Sequence, residues 1–349
     1  MSDFHSLKVN AVQQLTSNAV AISFAIPDTL KDVFAFSAGQ YITINKEIDG
    51  VTLRRAYSIS TVPGSGKITV GVKKVTDGTF SVYANSKIRV GDVLELMPPE
   101  GRFVFEPSNT EKHVGAFVAG SGITPVMSIA ETVLKSHLNS TFTLVYGNQS
   151  ADETMFLKEI EALQKQYGDR IFVQHVFSRV NEEGSLFGRI DGSTVTYIVK
   201  NKRKDIAFDA FYLCGPEEMI DLVSEKLQEA GITKDKIHFE LFTTSNTVDT
   251  MAEDLDGKTQ VAVVVDDENF TFAMDKKMLI LDAVLKENID APYSCQGGVC
   301  SSCIARVTEG KAEMIKNQIL TDGEIEEGLI LTCQAHPTTA TIKVDFDDV

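Results

Sequence analysis

The chain has 349 residues, 43% of them hydrophobic, and a formal net charge of −16. Its length suits two or three domains rather than one core, and so acidic a surface should repel nucleic acid, although it could attract a basic protein partner. The N-terminus, MSDFHSLKVN, lacks the basic and apolar segments of a signal peptide. The most apolar stretch, VGAFVAGSGITPVM, is short and interrupted by glycines, so no membrane span is predicted. We expect a cytoplasmic protein whose thiols stay reduced.

Residues 1–107 contain short alternating runs of polar and apolar residues, separated by glycine and proline. The runs are LKVNAVQQL, AVAISFAI, QYITINKEI, GKITVGVKKV and GDVLELMPP. Alternation with a period of two is typical of strands that bury one face. The spacing of the runs predicts an antiparallel β-barrel or sandwich.

The segment RRAYSIST, residues 54–61, lies on one of these predicted strands. Alternation along a strand places Arg55 and Tyr57 on one face and Ser58 on the other. An arginine suits a phosphate, an aromatic ring suits a flat cofactor, and a serine can donate a hydrogen bond to a ring nitrogen. An exposed strand with a surface arginine would explain the same pattern.

The segment VKKVTDGTFSVYA, residues 72–84, predicts a turn at Asp77 and Gly78, followed by a helix that begins near Thr79 and Ser81. The free N–H groups at a helix N-terminus attract anions. An ordinary helix cap uses the same residue types, so the pattern alone does not distinguish the two.

Residues 108–242 change to a rhythm of strand, helix and strand. HVGAFVAG, FTLVYGN, RIFVQHVFS and AFDAFYLCG are predicted strands, and TPVMSIAETVLKSH, ETMFLKEIEALQKQYG and PEEMIDLVSEKLQEAG are predicted helices. This pattern predicts a doubly wound α/β domain with a parallel sheet. Such domains bind ligands at the carboxyl ends of their strands.

Two segments join a predicted strand to a helix at that edge. In AGSGITP, residues 119–125, glycines would let a pyrophosphate approach the backbone at a helix N-terminus. The segment lacks the G-x-G-x-x-G spacing, and a tight turn explains it equally well. YLCGPEEM, residues 212–219, repeats the geometry and places Cys214 and Gly215 at the edge. Cys214 could equally be a small buried residue.

A third strand ends with FSR, residues 177–179. Ser178 and Arg179 could hold the 2′-phosphate of NADPH, because a hydroxyl and a guanidinium both donate hydrogen bonds to phosphate oxygens. The alternative is that Arg179 is an ordinary surface arginine.

The segment TTSNTVDTMAEDLDG, residues 243–257, has no apolar period and many small or acidic residues. This composition predicts a flexible linker. Residues 258–349 follow, in which KTQVAVVVDD and NFTFAM predict a β-hairpin and KMLILDAVLKEN predicts a helix. A cysteine-rich loop and further strands complete the chain, and the acidic end, DFDDV, is expected to be a solvated tail.

Four of the five cysteines have a diagnostic spacing. The pattern is Cys295-x4-Cys300-x2-Cys303, with Cys333 after a long gap. Plant-type [2Fe–2S] clusters are bound by cysteines with this spacing. These four residues are therefore the predicted metal ligands.

A zinc site fits these cysteines less well. Zinc sites usually pair two C-x2-C units or add histidines at set spacing, and a zinc site that used His336 would leave one of five candidate ligands idle. A loop around a cluster needs left-handed backbone and N–H groups that point at sulfur, which Gly297 and Gly298 would permit. A disulfide knot and buried free thiols are the remaining alternatives.

Taken together, these motifs resemble the ferredoxin–NADP reductase superfamily. RAYS is similar to its flavin motif R-x-Y-S, and AGSGITP and LCGP look like its two nicotinamide-site motifs. HFELF, residues 238–242, resembles the end of the reductase module, where a glutamate and an aromatic residue lie beside the flavin. PYSCQGGVCSSC looks like a plant-type ferredoxin. The resemblance implies an antiparallel β-barrel FAD domain (1–107), an α/β doubly wound NAD(P) domain (108–242) and an α+β (β-grasp) ferredoxin domain (258–349).

The resemblance also implies roles for the matched positions of the flavin motif. Arg55 would bind the FAD pyrophosphate, Tyr57 would stack on the isoalloxazine, and Ser58 would lie near flavin N5. Phe242 would be the shielding aromatic residue, although here the chain continues beyond it into the predicted linker. The other residues expected to bind FAD are Ala56, Val72, Lys73, Gly78, Thr79, Phe80 and Ser81.

For the nucleotide, the resemblance implies that Thr124 and Cys214 flank the nicotinamide and that Ser178 and Arg179 contact the 2′-phosphate. Ser58, Cys214 and Glu240 are the expected catalytic residues. The other residues expected to bind the nucleotide are Gly120, Gly122, Gly215 and Pro216.

The function implied is that of a reductase that converts a two-electron donor into a one-electron donor. NADPH, or alternatively NADH, would reduce FAD, and the cluster would pass single electrons to an oxygenase component. The favoured acceptor is the di-iron phenylacetyl-CoA epoxidase. A Rieske-type or other ring hydroxylase, or a hybrid-cluster redox enzyme, is the alternative. A binding protein with inert cysteines would instead be colourless and free of iron.

Overall fold

The computed structural model describes residues 4–242 and 255–349. They divide into two compact units: the first comprises residues 5–53 and 57–242, and the second includes residues 255–349. Residues 243–254, most of the predicted linker, lie outside the described residues. No helix in the described parts of the chain is both long and apolar enough to cross a membrane.

The predicted strands of residues 1–107 form a six-stranded antiparallel sheet in the order β4-β3-β6-β1-β2-β5. Ile59, directly after β4, pairs with Val70 of β5 and brings the two edges of the sheet together, so the arrangement is a barrel. One helix, α1 (Thr79–Ser86), follows β5. The strands are β1 (His5–Thr16), β2 (Ala19–Ala25), β3 (Tyr41–Ile48), β4 (Val51–Ser58), β5 (Lys67–Lys73) and β6 (Val93–Leu96).

The second sheet of this unit is parallel, as the strand–helix rhythm predicts, with the order β10-β9-β8-β7-β11-β12. The carboxyl ends of β7, β11 and β12 are neighbours, which is where ligands bind in open parallel sheets. The strands are β7 (His113–Ala119), β8 (Thr141–Asn148), β9 (Ile171–Phe177), β10 (Leu186–Phe187), β11 (Ala210–Cys214) and β12 (Ile237–Glu240). The helices are α2 (Ile123–Ser136), α3 (Leu157–Tyr167), α4 (Gly192–Thr196) and α5 (Glu217–Glu229).

Two local features of this half differ from the sequence prediction. The helix predicted from Glu153 begins only at Leu157, because Phe156 has a left-handed backbone with φ of 58°. Residues 192–202, for which no element was predicted, form α4 and a π-helical turn, Tyr197–Lys202. Their β-branched residues favour strands, but the Asp191 carboxylate accepts the Thr194 N–H and caps the helix.

The second unit contains a mixed five-stranded sheet in the order β14-β13-β19-β15-β17 and a two-stranded sheet of β16 and β18. The predicted hairpin is present, with Val265 opposite Glu268 and a turn at Asp266 and Asp267, both at positive φ. β13 and β19 run parallel. The elements are β13 (Lys258–Val265), β14 (Glu268–Asp275), α6 (Ile280–Lys286), β15 (Ile304–Glu309), β16 (Ala312–Met314), α7 (Asp322–Glu326), β17 (Leu329–Leu331), β18 (Ala335–Pro337) and β19 (Thr341–Asp345).

The predicted solvated acidic tail is exposed only over residues 347–349. Asp345 ends β19, and Phe346 is buried in the core of the second unit. The Asp347 carboxylate accepts the backbone N–H groups of Asp266 and Asp267 at 2.9 and 2.8 Å, so it closes the hairpin turn. The acidic composition of this segment gave no sign of these contacts, because they are made to residues some 80 positions earlier in the chain.

Candidate flavin and nucleotide site, and candidate metal centre

The flavin motif lies at the end of β4. Arg55 is half-buried, and its Nη1 donates to the carbonyl of Arg54 at 2.7 Å. The half-buried ring of Tyr57 lies 5.5 Å from that of Phe80, between ring centroids. Ser58 is only 5% exposed. Ala56, which lies between Arg55 and Tyr57 in the chain, is also half-buried. The segment therefore presents a guanidinium, a ring and a hydroxyl within four consecutive residues, as expected.

The predicted helix start near Thr79 is confirmed, since α1 spans Thr79–Ser86 with Gly78 preceding it. No side chain of the described residues caps this helix. The Ser81 hydroxyl accepts the N–H of Val75 at 3.1 Å instead, so it holds the preceding turn. The N–H groups of the first turn thus carry no side-chain acceptor, which suits a phosphate.

The two glycine-containing turns meet at the carboxyl edge of the parallel sheet. Val118 of β7 lies opposite Cys214 of β11 in parallel register. A Cβ at Gly122 would overlap the Cys214 carbonyl, and a Cβ at Gly215 would lie 2.6 Å from Met219 Cε. Gly120 has φ of 55°, in the left-handed region that favours glycine. Glycine is therefore required at Gly122, where the neighbouring atoms are backbone, and favoured at Gly120 by its φ, whereas the Met219 side chain could move away from a Cβ at Gly215.

Other predicted residues line the same edge. Thr124, in the first turn of α2, is 2% exposed, and its hydroxyl donates to the Ser121 carbonyl at 3.0 Å. Pro216 directly precedes α5. A Cβ at Gly120 would lie 3.7 Å from Lys73 Nζ, so the side chain at the end of β5 reaches this turn. Val72 precedes it and accepts a hydrogen bond from Asn85.

The three expected catalytic residues are brought together by the tertiary structure. Cys214 and Glu240 are opposite each other on β11 and β12. The Ser58 hydroxyl donates to Glu240 Oε2 at 3.3 Å across 182 residues of chain. Burial raises the pKa of Glu240 to about 8, although the hydrogen bond from Ser58 opposes the shift. Burial raises the pKa of Cys214 well above its ordinary value, and the nearby Glu240 carboxyl adds to the shift. Both groups therefore remain protonated and neutral near pH 7.

The remaining predicted residues are Ser178, Arg179 and Phe242. The backbone N–H groups of Ser178 and Arg179 donate to the carbonyls of Asn148 and Gln149, both at 3.0 Å. This turn follows β9 and leaves Arg179 exposed. Phe242 is 36% exposed.

One buried residue beside the site was not singled out by the sequence analysis. Gly71, in the middle of β5, faces the parallel-sheet half of the unit, because a Cβ there would lie 2.7 Å from Thr124 Cγ2. Glycine inside a strand pattern signals a close approach of two segments, and this signal was present in GKITVGVKKV.

The cysteines of the second unit form two pairs. Hydrogen bonds join the thiols of Cys295 and Cys300, and those of Cys303 and Cys333. All five cysteines of the chain are free, so the structure contains no disulfide knot. Within residues 4–242 and 255–349, no group of three or more possible ligands converges on a single metal ion. Two pairs of thiols fit a cluster in which each of two irons takes two cysteines.

The histidine considered for a zinc site is otherwise engaged. His336 is fully buried, and its Nδ1 lies 3.0 and 3.1 Å from the carbonyls of Lys276 and Met278. These contacts hold the ring by main-chain oxygens of the segment before α6. The pairing of the four cysteines leaves no ligand position that the histidine would have to fill.

The loop that carries three of these cysteines points N–H groups at sulfur. The Gly297 N–H donates to Cys295 Sγ at 3.3 Å. The hydrogen bond from the Cys300 thiol, together with backbone N–H groups, lowers the pKa of Cys295 to about 6. Gly298 has the expected left-handed backbone, whereas Gln296 rather than Gly297 is the second left-handed residue. Hydrogen bonding to the partner thiol, together with burial, raises the pKa of Cys300 and of Cys303 well above the ordinary value. Within this loop only Cys295 is therefore shifted toward the thiolate, which is the form that binds a metal.

Comparisons with known proteins agree with this arrangement. Residues 6–105 match the oxidoreductase FAD-binding domain, residues 117–225 the oxidoreductase NAD-binding domain, and residues 263–338 the 2Fe-2S iron-sulfur cluster binding domain. The chain is 37% identical, over 99% of both chains, to one of the subunits of 1,2-phenylacetyl-CoA epoxidase of Escherichia coli. It is 34% identical to the ferredoxin reductase component of 3-ketosteroid-9-alpha-monooxygenase of Rhodococcus rhodochrous, over 97% of this chain and 96% of that one.

The solved structure of phthalate dioxygenase reductase has the same fold, with a TM-score of 0.60 and 20% identity over 98% of both chains. Fold, site and matched domains together define an NAD(P)H-dependent oxidoreductase that uses FAD and a [2Fe–2S] cluster for electron transfer. The chain belongs to the ferredoxin–NADP reductase superfamily, in the group that carries a C-terminal plant-type ferredoxin domain. The family, fold class and cofactor classes predicted from the sequence are confirmed.

Proposed function

We propose that this protein is the reductase component of an oxygenase system, and that its acceptor is a di-iron epoxidase acting on phenylacetyl-CoA. The observation that carries the choice of acceptor is the 37% identity to a protein of the phenylacetyl-CoA epoxidase over 99% of both chains. We place the protein in the cytoplasm, because its five free cysteines are consistent with a reducing compartment.

The domain limits that we propose are residues 1–107 for FAD, 108–242 for the nucleotide, 243–257 for the linker and 258–349 for the ferredoxin. Arg55 and the first turn of α1 would hold the FAD pyrophosphate, because the guanidinium and the uncapped N–H groups are donors for phosphate oxygens. Tyr57, supported by Phe80, would stack on the flavin ring. The cluster ligands would be Cys295, Cys300, Cys303 and Cys333.

When bound, FAD accepts a hydride with its two electrons from the reduced nicotinamide, which leaves as the oxidised nucleotide, and the [2Fe–2S] cluster then carries the electrons one at a time. Ser58 would donate its hydroxyl proton as a hydrogen bond toward the flavin and orient the ring. Thr124 and the glycine turns at Gly122 and Gly215 would position the nicotinamide at the sheet edge and exclude water.

The protonation of Glu240 and Cys214 contributes to this chemistry. An ionised Glu240 carboxylate would disfavour negative charge on a flavin bound beside it. Burial keeps both residues neutral near pH 7, so they can donate hydrogen bonds without adding charge. Ser58 holds the Glu240 carboxyl in place.

We propose NADPH rather than NADH as the donor. Ser178 and Arg179 follow β9 in a turn tied to the end of β8, and the exposed guanidinium is available to a phosphate. Arg179→Ala should therefore raise KM for NADPH and leave KM for NADH nearly unchanged. Equal effects on the two nucleotides would contradict a contact with the 2′-phosphate.

A reductase of a ring hydroxylase is the second candidate. The 34% identity to the ketosteroid monooxygenase component over nearly the whole chain favours it. The two candidates share the same electron path through this chain and differ only in the protein that receives the electrons.

The test begins with the purified protein under anaerobic conditions. Titration with NADPH should bleach the overlapping flavin and [2Fe–2S] absorption, and the reduced protein should then support turnover of purified phenylacetyl-CoA epoxidase. Bleaching without epoxidase turnover, but with turnover of a steroid or other ring hydroxylase, would favour the second candidate. A colourless, iron-free preparation would contradict both.

A further inference from the structure

The seam between the barrel and the parallel-sheet half of the first unit contains a strand glycine with no room for a side chain. Gly71 is buried in β5 and lies opposite Ala21 of β2. A Cβ at Gly71 would lie 2.7 Å from Thr124 Cγ2, 2.9 Å from Met155 Cε and 3.0 Å from Phe156 Cε2. Cβ contacts shorter than 3.0 Å essentially do not occur, so a side chain at residue 71 must displace Thr124 and the flexible end of Met155.

Hydrogen bonds across the seam oppose a movement of the barrel relative to the parallel-sheet half that would make room for such a side chain. The Ser128 hydroxyl donates to the Thr61 carbonyl at 2.6 Å, which ties α2 to the barrel. The Tyr212 hydroxyl donates to the Val104 carbonyl at 2.9 Å, which ties β11 to the segment after the barrel. The apolar side chains along the seam form one continuous buried core with those of α2 and β7. Interiors packed in this way transmit strain rather than absorb it.

The residue that Gly71 touches is part of the proposed nicotinamide site. Thr124 lies in the first turn of α2, and the Gly122 turn directly precedes it. On the other side of the contact, Gly71 lies on β5, whose last residue, Lys73, reaches the Gly120 turn. The contact therefore joins the strand beside the proposed flavin to the turn proposed to hold the nucleotide.

We propose that Gly71 is a positioning residue for hydride transfer. Its missing side chain sets how closely α2 approaches the barrel, and through α2 it sets the separation between nicotinamide and flavin. Hydride transfer requires reacting atoms about 3–3.5 Å apart, and a misplacement of about 1 Å can lower a rate about 100-fold. This inference rests on the proposed function, because it assumes that the nicotinamide binds beside Thr124.

The experiment uses the full-length holoprotein with Gly71→Ala and Gly71→Val. Flavin reduction by NADPH is followed by anaerobic stopped flow over a range of NADPH concentrations. The limiting rate should fall about 10-fold for alanine and about 100-fold for valine. FAD content, iron content and the dissociation constant for NADP⁺, measured by calorimetry, should change little. A crystal structure of Gly71→Val should show α2 shifted away from β5.

Two further variants separate positioning from general damage. Gly192→Ala is the matched control, because a Cβ there would meet only the flexible side chain of Lys226, and it should reduce at the wild-type rate. The double variant Gly71→Ala with Thr124→Ser removes Cγ2, the atom nearest the new methyl, but keeps a hydroxyl for Ser121. It should recover part of the rate lost in Gly71→Ala.

The outcomes distinguish this inference from the proposed function. Wild-type rates in both Gly71 variants with full FAD would overturn the inference alone, as would loss of FAD from both variants or a double variant no faster than Gly71→Ala. Wild-type protein whose flavin neither NADPH nor NADH reduces would overturn the proposed function itself.

Discussion

The two functional regions shift the pKa values of their acidic groups in opposite directions. In the cysteine loop, the Cys300 thiol and main-chain N–H groups lower the pKa of Cys295 to about 6. At the flavin and nucleotide site, burial raises the pKa of Glu240 to about 8 and that of Cys214 well above its ordinary value. At Cys295 the loop favours an anion that can bind a metal, although the same hydrogen bond raises the pKa of Cys300, whereas the other site favours neutral proton donors.

The two regions also differ in how they are encoded. Three of the four cluster cysteines lie within nine residues, and the loop that holds them brings its own N–H donors. Ser58 and Glu240 are 182 residues apart and meet only because β12 joins a sheet that packs on the barrel. We therefore expect the cysteine loop to lose its function when a ligand is removed. The flavin and nucleotide site should lose activity when its strands and helices are displaced by a small distance.

The largest expected effect is loss of the cluster with flavin reduction by NADPH retained. Cys303→Ala should abolish the cluster, because it removes one of four thiolate ligands. Iron content and cluster absorption should be lost, while NADPH should still reduce the flavin, since we propose that Tyr57 and the first turn of α1, both in the first unit, contact it. Cys214→Ala is the matched control and should keep its iron. Iron retained at the wild-type stoichiometry in Cys303→Ala would contradict the assignment.

The second prediction concerns flavin reduction and leaves the cysteine loop unchanged. Ser58→Ala removes the hydroxyl that donates to Glu240 and that we expect to face the flavin. The limiting rate of flavin reduction should fall about 100-fold, a typical size for one positioned proton-donating group, with iron content unchanged. Ser60→Ala, which removes a buried hydroxyl bonded to the Thr69 carbonyl, is the control. A wild-type rate in fully flavinated Ser58→Ala would exclude the role.

The third prediction concerns pH and tests the neutrality of Glu240. Its pKa rises from an ordinary 4.5 to about 8 on folding. Between these values the folded state keeps a proton that the unfolded chain has released, so stability falls as pH rises through this window. Glu240→Gln cannot ionise and escapes that loss. Its Tm relative to wild type should therefore increase from about pH 5 to about pH 8. A constant difference would show that the carboxyl is not buried as a neutral acid.

The smallest expected effect tests the stability of the ferredoxin unit alone. Asp347→Ala leaves the N–H groups of Asp266 and Asp267 without their acceptor and should lower the free energy of unfolding by about 1 kcal/mol. Thermal loss of cluster absorption would report the change. Asp348→Ala removes the same charge from an exposed pair with Arg306 and should cost at most about 0.5 kcal/mol. Equal losses in the two variants would show that the effect is one of charge.

Much of the fold was predictable from local patterns. The alternating runs identified the barrel strands, and the strand–helix rhythm identified the parallel sheet, because burial of one face imposes a period on the sequence. The predictions differed from the structure where one residue's backbone conformation, or a partner distant in the chain, determines the local structure. Phe156 delays α3 by adopting a left-handed backbone, and Asp347 is held by a turn far away in the chain. Neither effect changes the hydrophobic period.

The sequence by itself identified the [2Fe–2S] domain and predicted its four ligands, since ligand type and spacing are properties of one short loop plus Cys333. It also determined which residue types stand at the ends of the strands that form the nucleotide edge. Only the tertiary structure decided that Ser58 meets Glu240, that Cys214 faces the same carboxyl, and that Gly71 leaves room for Thr124. The physical reason is that these contacts depend on strand order and on how closely two sheets pack. Neither can be predicted from a short segment of the sequence.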